Sequence, residues 1–165
     1  MNRIDGFRQG LLLAVAVAAF VIPGSLAAQQ DQIGIAVGER PVAVQLEDLN
    51  GNEVSLKDYF GNKPVVIEFW ATWCPVCARL KPQLEAVSAQ YQGAVEIVFV
   101  AVAVNQSQRR VRRFVEDDPH PGEVLWDGDG NAVRAFSAPS TSYVVVLDAD
   151  GVVAYTGTGD SQDIM

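Results

Sequence analysis

WATWCPVCARLKP, residues 70–82, follows directly on the apolar run VVIEF (65–69) and holds both cysteines of the 165-residue chain, Cys74 and Cys77. Nearly every side chain from Val65 to Trp70 is apolar, which suits a strand covered on both faces. From Cys74 the period changes. Cys77, Leu80, Leu84, Val87 and Tyr91 recur three or four residues apart, predicting a helix from Cys74 to Tyr91. A buried strand that runs straight into a helix is the first half of a crossover unit, the signature of an α/β domain.

The flanking sequence extends this pattern. Pro41 to Ser55 alternates apolar and polar residues about Asn50-Gly51, a dipeptide that accepts the positive φ of a tight turn, so a hairpin is predicted. A helical turn is expected at Leu56 to Tyr59 and a second buried strand at Val95 to Val104. Ser107 then caps a helix striped by Val111, Phe114 and Val115. Val124 to Asp127 reads as a short strand and Asn131 to Phe136 as a short helix. Tyr143 to Leu147 and Val152 to Tyr155 form a final hairpin about Asp148 to Gly151. The expectation is one domain with a central mixed β-sheet flanked by helices, without repeats or an internal boundary.

Arg3 and Arg8 precede the run Leu11 to Ile22, which is followed by Pro23, Gly24 and the small residues Ser25 and Ala27. Residues 1–28 therefore read as a signal peptide, with an uncleaved membrane anchor as the alternative, and the protein is expected to be exported, to a periplasmic or other extracytoplasmic compartment. Residues 29–38 read as a flexible lead and 39–165 as the domain. The chain carries a net charge of −8, and loss of residues 1–28 makes it one unit more negative. Such an acidic body is a poor partner for nucleic acid.

Three roles compete for the cysteine pair. A structural disulfide stabilises chiefly by closing a long loop, and this one closes the shortest, so a staple is the weakest reading. A metal site needs three or four ligands, so the single histidine, His120, would have to join the cysteines in a copper-binding chaperone. Its setting, DDPHPGE, reads instead as an exposed loop. Redox chemistry fits best. With the helix starting at Cys74 the two Cα atoms lie one turn apart, within the roughly 4.4–6.8 Å a disulfide tolerates.

Cys74 then sits at the helix N-terminus, where unpaired N–H groups favour an anion by about 0.3–1 kcal/mol, or up to ~2 kcal/mol when partly buried. That holds the thiol below its ordinary range and makes it a nucleophile. Pro75 suits the first turn, having no N–H to leave unsatisfied. Cys77, a turn further in, is expected to be more buried and protonated, as befits a thiol that resolves a mixed disulfide.

FWATWCPVCARLKP resembles the active-site segment of the thioredoxin superfamily. The preceding QLEDLNGNEVSLKDYFGNKPVVIEFW and the later LDADG resemble the TlpA/ResA-like branch of exported thiol–disulfide oxidoreductases, a redoxin branch, over about Pro41 to Gly157. The resemblance implies a thioredoxin-like fold, Cys74 as attacking thiol, Cys77 as resolving thiol, and an environment of Trp73, Pro75 and Val76. It implies no cofactor beyond the redox-active pair. Its partners would be thiol- or disulfide-containing proteins and an upstream redox partner, with a membrane involved only if the N-terminal segment stays as an anchor. Pro82 matches a helix-kinking proline. Thioredoxins also carry a buried carboxylate six residues before the first cysteine, the place of Glu68, where burial would let it take the proton of the resolving thiol. The alternative is a Glu68 at the sheet edge reaching water.

Two departures from the pattern stand out. The family's cis-proline, which lines up the substrate peptide, falls by spacing on Ser142, preceded by Thr141, while Pro139 lies three residues earlier. Either Pro139 or Thr141-Ser142 binds substrate. A last helix is also expected and GDSQDIM could only begin one, which would leave apolar sheet uncovered. The cluster Arg109 to Arg113 reads as a solvated helix face, with Arg112 paired to Glu116. A thiol peroxidase is the rival enzyme class, but Thr72 stands only two residues before Cys74, and no proline precedes it at the place a P-x-x-x-T-x-x-C motif requires.

Overall fold

The computed structural model describes residues 34–164. The strands β1 (Gln45–Asp48) and β2 (Glu53–Ser55) pair antiparallel as the predicted hairpin, although neither reaches back to Pro41. Asp48 builds the turn: its carboxylate accepts from the N–H groups of Asn50 and Asn52 at 2.7 and 2.9 Å, and Gly51 supplies φ +89°. A 3₁₀ turn, Leu56–Tyr59, leads to β3 (Val65–Trp70), followed by α1 (Pro75–Gln90), β4 (Glu96–Val102), α2 (Gln108–Asp117), β5 (Glu123–Asp127), α3 (Asn131–Ala135), β6 (Tyr143–Leu147) and β7 (Val153–Thr158).

These strands make one mixed sheet in the order β2-β1-β5-β4-β3-β6-β7. The pairs β3/β4 and β4/β5 are parallel, as crossovers through α1 and α2 require, and the remaining pairs are antiparallel. β3 lies between β4 and β6, and all six of its side chains are buried, which explains its unbroken apolar pattern apart from Glu68. α1 buries Cys77, Leu80, Leu84 and Val87, while Tyr91 at its C-cap stays partly exposed. Pro82 lies inside α1, and the helix continues on both sides of it.

Three expectations change here. The described part of the flexible lead is docked: Ile35 is buried and donates to the Phe136 carbonyl at 2.9 Å, while Gly38 donates to Val153 at 2.8 Å. Arg112 does not pair with Glu116. Its guanidinium donates to the Leu49 carbonyl and, with Gln108 donating to Asp48 O at 2.8 Å, ties α2 to the hairpin. Arg109, Arg110 and Arg113 are exposed, as a solvated face should be.

The third concerns the segment after β7. No helix follows it among the described residues, yet none of the large exposed apolar side chains lies on a strand. In the segment that follows, Asp160 reaches α1, pairing with Arg79 while its carbonyl accepts from Gln83 at 2.7 Å, and Gln162 donates to Ser142 O at 3.0 Å. The signal or anchor segment, 1–28, lies outside the described residues, among which no helix is long and apolar enough to cross a membrane.

Gly34 has φ +82°, and a Cβ there would overlap the phenol of Tyr143, whose oxygen accepts from the Ile35 N–H at 3.1 Å. Gly34→Ala is therefore expected to cost about 1–3 kcal/mol, through overpacking and a disfavoured φ. Urea denaturation checks this, and an unchanged midpoint would contradict it.

Candidate active site

The bend between β3 and α1 is held by side chains from beyond β4. Gln106 accepts from both the N–H and the hydroxyl of Thr72 at 2.9 Å, and its own amide donates to Val102 O at 2.6 Å. The Trp73 indole donates to Val104 O at 2.7 Å, which fixes a ring still 41% exposed beside Cys74. Sequence reasoning missed Gln106, since nothing in its neighbourhood marks it as a clamp.

Cys74 is the N-cap of α1, in extended conformation, and its sulfur accepts from the Cys77 N–H at 3.1 Å. Pro75 occupies the first turn and is exposed, and Val76 is half-buried. Cys74 and Cys77 are disulfide-bonded with Cα atoms 5.3 Å apart, so one helical turn accommodates the bond, as predicted. Their exposures, 6% and 5%, are nearly equal, which corrects the expectation that Cys77 is the more buried.

Behind the pair lies a cavity of about 80 Å³, lined by Glu68, Trp70, Cys74, Cys77, Lys81 and His120 among others. Glu68 is 1% exposed in the middle of a central strand, so the edge reading fails. Its Oε1 has no hydrogen-bond partner, and burial pushes its carboxyl up to about 8. A carboxyl there can hold or release a proton near neutral pH, and it shares the cavity with both cysteines.

His120 is not an exposed loop residue. Its ring lies 4.2 Å from that of Trp70 and 4.6 Å, edge-on, from Phe99, with Phe114 at 6.4 Å. Burial, then the nearby Lys81 ammonium, lowers its pKa to about 4, so the ring is neutral at pH 7. Lys81 pairs with Asp118 at the C-cap of α2 and lies 3.6 Å from Glu85. Among the described residues no three His, Cys, Asp or Glu side chains form a group that could hold a metal. The copper reading therefore finds no ligand set, although His120 does share the cavity with both cysteines.

Pro139 is exposed in the loop before β6, and the described residues contain no cis peptide bond. Ser142, not Pro139, stands immediately before β6, and its N–H donates to Phe69 O at 2.8 Å beside the end of β3. Its φ is +60°, a conformation few non-glycine residues adopt. Here it is fixed from three sides, because Ser142 Oγ also accepts from Gly159 N–H at 3.2 Å and its carbonyl accepts from Gln162 at 3.0 Å.

The Redoxin family matches residues 36–164. The chain belongs to the redoxin family. This redoxin is 31% identical to the thiol-disulfide oxidoreductase ResA of Geobacillus thermodenitrificans over 93% of the chain and 87% of the relative. It is 30% identical to ResA of Halalkalibacterium halodurans over 78% and 72%, respectively. The thioredoxin domain of a thiol-disulfide oxidoreductase from Bacteroides vulgatus superimposes with a TM-score of 0.66, at 21% identity, covering 76% of this chain and 90% of that one, which establishes the thioredoxin-like fold.

Proposed function

We propose that this redoxin exchanges its Cys74–Cys77 dithiol or disulfide with cysteines of other proteins outside the cytoplasm. The observation that carries the reading is the pair itself, bonded across the first turn of α1 with the buried Glu68 behind it. In the reducing direction the Cys74 thiolate attacks one sulfur of a substrate disulfide, forming a mixed disulfide and expelling the other sulfur as a thiolate. Cys77 then gives its proton to the Glu68 carboxylate and attacks Cys74 Sγ. The Cys74–Cys77 bond forms, the bond to substrate breaks, and the second substrate sulfur leaves as a thiolate. Oxidation of a substrate dithiol is the reverse sequence, and the potential of the pair against its partners sets the direction.

The substrate chain would lie along Thr141 and Ser142, where the Ser142 backbone is held beside the end of β3, with Trp73 as its apolar wall. The relatives' thiol–disulfide activity and the reading of residues 1–28 as an export signal support the assignment. A Cys77→Ser variant expressed with its export segment is expected to accumulate partner proteins as mixed disulfides that dissolve in dithiothreitol. Non-reducing gels and mass spectrometry identify them. Adducts that persist when Cys74 is also replaced would count against the proposal.

A further inference from the structure

Three buried side-chain atoms without hydrogen-bond partners, Glu68 Oε1, Trp70 Nε1 and His120 Nδ1, belong to residues that line the same cavity behind the disulfide. An unpaired buried polar atom is costly, and three around one hollow call for a common partner. A buried water needs only roughly 10–15 Å³ and two to four polar neighbours. The cavity of about 80 Å³ offers the room, and the three atoms offer two acceptors and a donor, or one acceptor and two donors if His120 Nδ1 carries the proton.

We propose that His120 is a positioning residue that holds water against Glu68 and relays to solvent the proton Glu68 takes from Cys77. This rests on the thiol–disulfide exchange reading above and adds the route by which Glu68, whose buried carboxyl holds its proton at neutral pH, is emptied so that it can accept from Cys77. A neutral imidazole suits a relay, since it can accept at one nitrogen while donating at the other. The groups that face it are few: Glu68 from β3, Lys81 from α1 with Glu85 beside it, Asp118 from the end of α2, and the two cysteines. Burial first, and then the Lys81 ammonium, keeps the ring neutral, while Asp118 works the other way. Phe99 and Phe114 supply only apolar wall.

The test uses the reduced protein and 5,5′-dithiobis(2-nitrobenzoate). Attack by Cys74 releases one coloured thiolate and leaves a mixed disulfide, and attack by Cys77 on that disulfide releases the second. In His120→Ala the first release should match wild type, which shows an intact fold. The second should slow roughly tenfold near neutral pH, a fraction of the 10²–10⁴ that direct acid–base catalysis supplies. The deficit should close at alkaline pH, where hydroxide removes the proton, and added imidazole should restore the neutral rate. His120→Gln, which keeps polar atoms but cannot relay, should show the same slow second phase. An unchanged second phase, or one slowed equally at every pH and not rescued by imidazole, overturns the inference while leaving the exchange reading intact. A wild type that releases no second thiolate overturns both.

Discussion

Serine at position 74 is expected to reduce thiol–disulfide exchange to background, a loss of several orders of magnitude, because the remaining thiol, Cys77, lacks the place at the helix start that favours a thiolate. Serine at position 77 should leave the first step intact and block only the release of substrate. The asymmetry follows from the helix: Cys74 is the cap at which the N–H groups converge, and Cys77 lies one turn inside. Dithiothreitol-driven reduction of insulin, followed by turbidity, measures the loss in both variants. Trapping by a single-turnover assay separates them. Substantial turnover with serine at 74, or equal trapping by both variants, would contradict these assignments.

Replacing Glu68 with glutamine should make the protein more stable, and by more as pH rises. The native carboxyl titrates at about 8, against the 4.5 of an exposed glutamate. Between those values the folded protein holds a proton that the unfolded chain has released, so wild-type stability falls with rising pH. The penalty is absent below about pH 4.5 and complete above about pH 8. At 1.36 kcal/mol per unit of separation it reaches about 4–5 kcal/mol, an upper figure if water in the cavity solvates the ion. Glutamine, similar in shape and without a proton to lose, escapes it. Urea unfolding of both proteins with the disulfide intact, at pH 5 and pH 9, measures the gap. Parallel losses in the two proteins would place the pH dependence elsewhere. The variant should also resolve mixed disulfides more slowly, since it has no carboxylate to accept the proton.

The elements around the cysteines were legible because their signals are local. VVIEFW is apolar at every position but one, the stripe from Cys77 to Val87 has helical period, and Asn50-Gly51 marks the hairpin turn. The pair was read from its spacing at a helix start, and the resemblance added Glu68. What was illegible depends on partners distant in sequence. His120 sits among acids and prolines, a setting that reads as an exposed loop, yet the rings of Trp70, Phe99 and Phe114 pack around it and leave it only partly exposed. Arg112 has an acid at helical spacing but finds a carbonyl in the hairpin that needs a donor. The segment around Ile35 lacks any periodic pattern, since its docking uses backbone groups and one apolar side chain. Ser142 stands immediately before β6, where spacing put it, but the hydrogen bonds that hold its backbone come from Phe69, Gly159 and Gln162, all remote in sequence.

Because the sulfur of Cys74 is itself the cap of α1, the quality of that cap changes with the electrons it holds. A thiolate accepts hydrogen bonds more strongly than a disulfide sulfur does, so reduction improves the start of the helix and oxidation weakens it. The folding energy of the first turn is thereby coupled to the reduction potential: whatever tightens that turn around a negative charge makes the pair easier to reduce, with 30 mV corresponding to about 1.4 kcal/mol. The residue after the nucleophile, Pro75, cannot add an N–H to that cradle, and the Cys77 amide is left as the donor through which the protein adjusts its own oxidising strength.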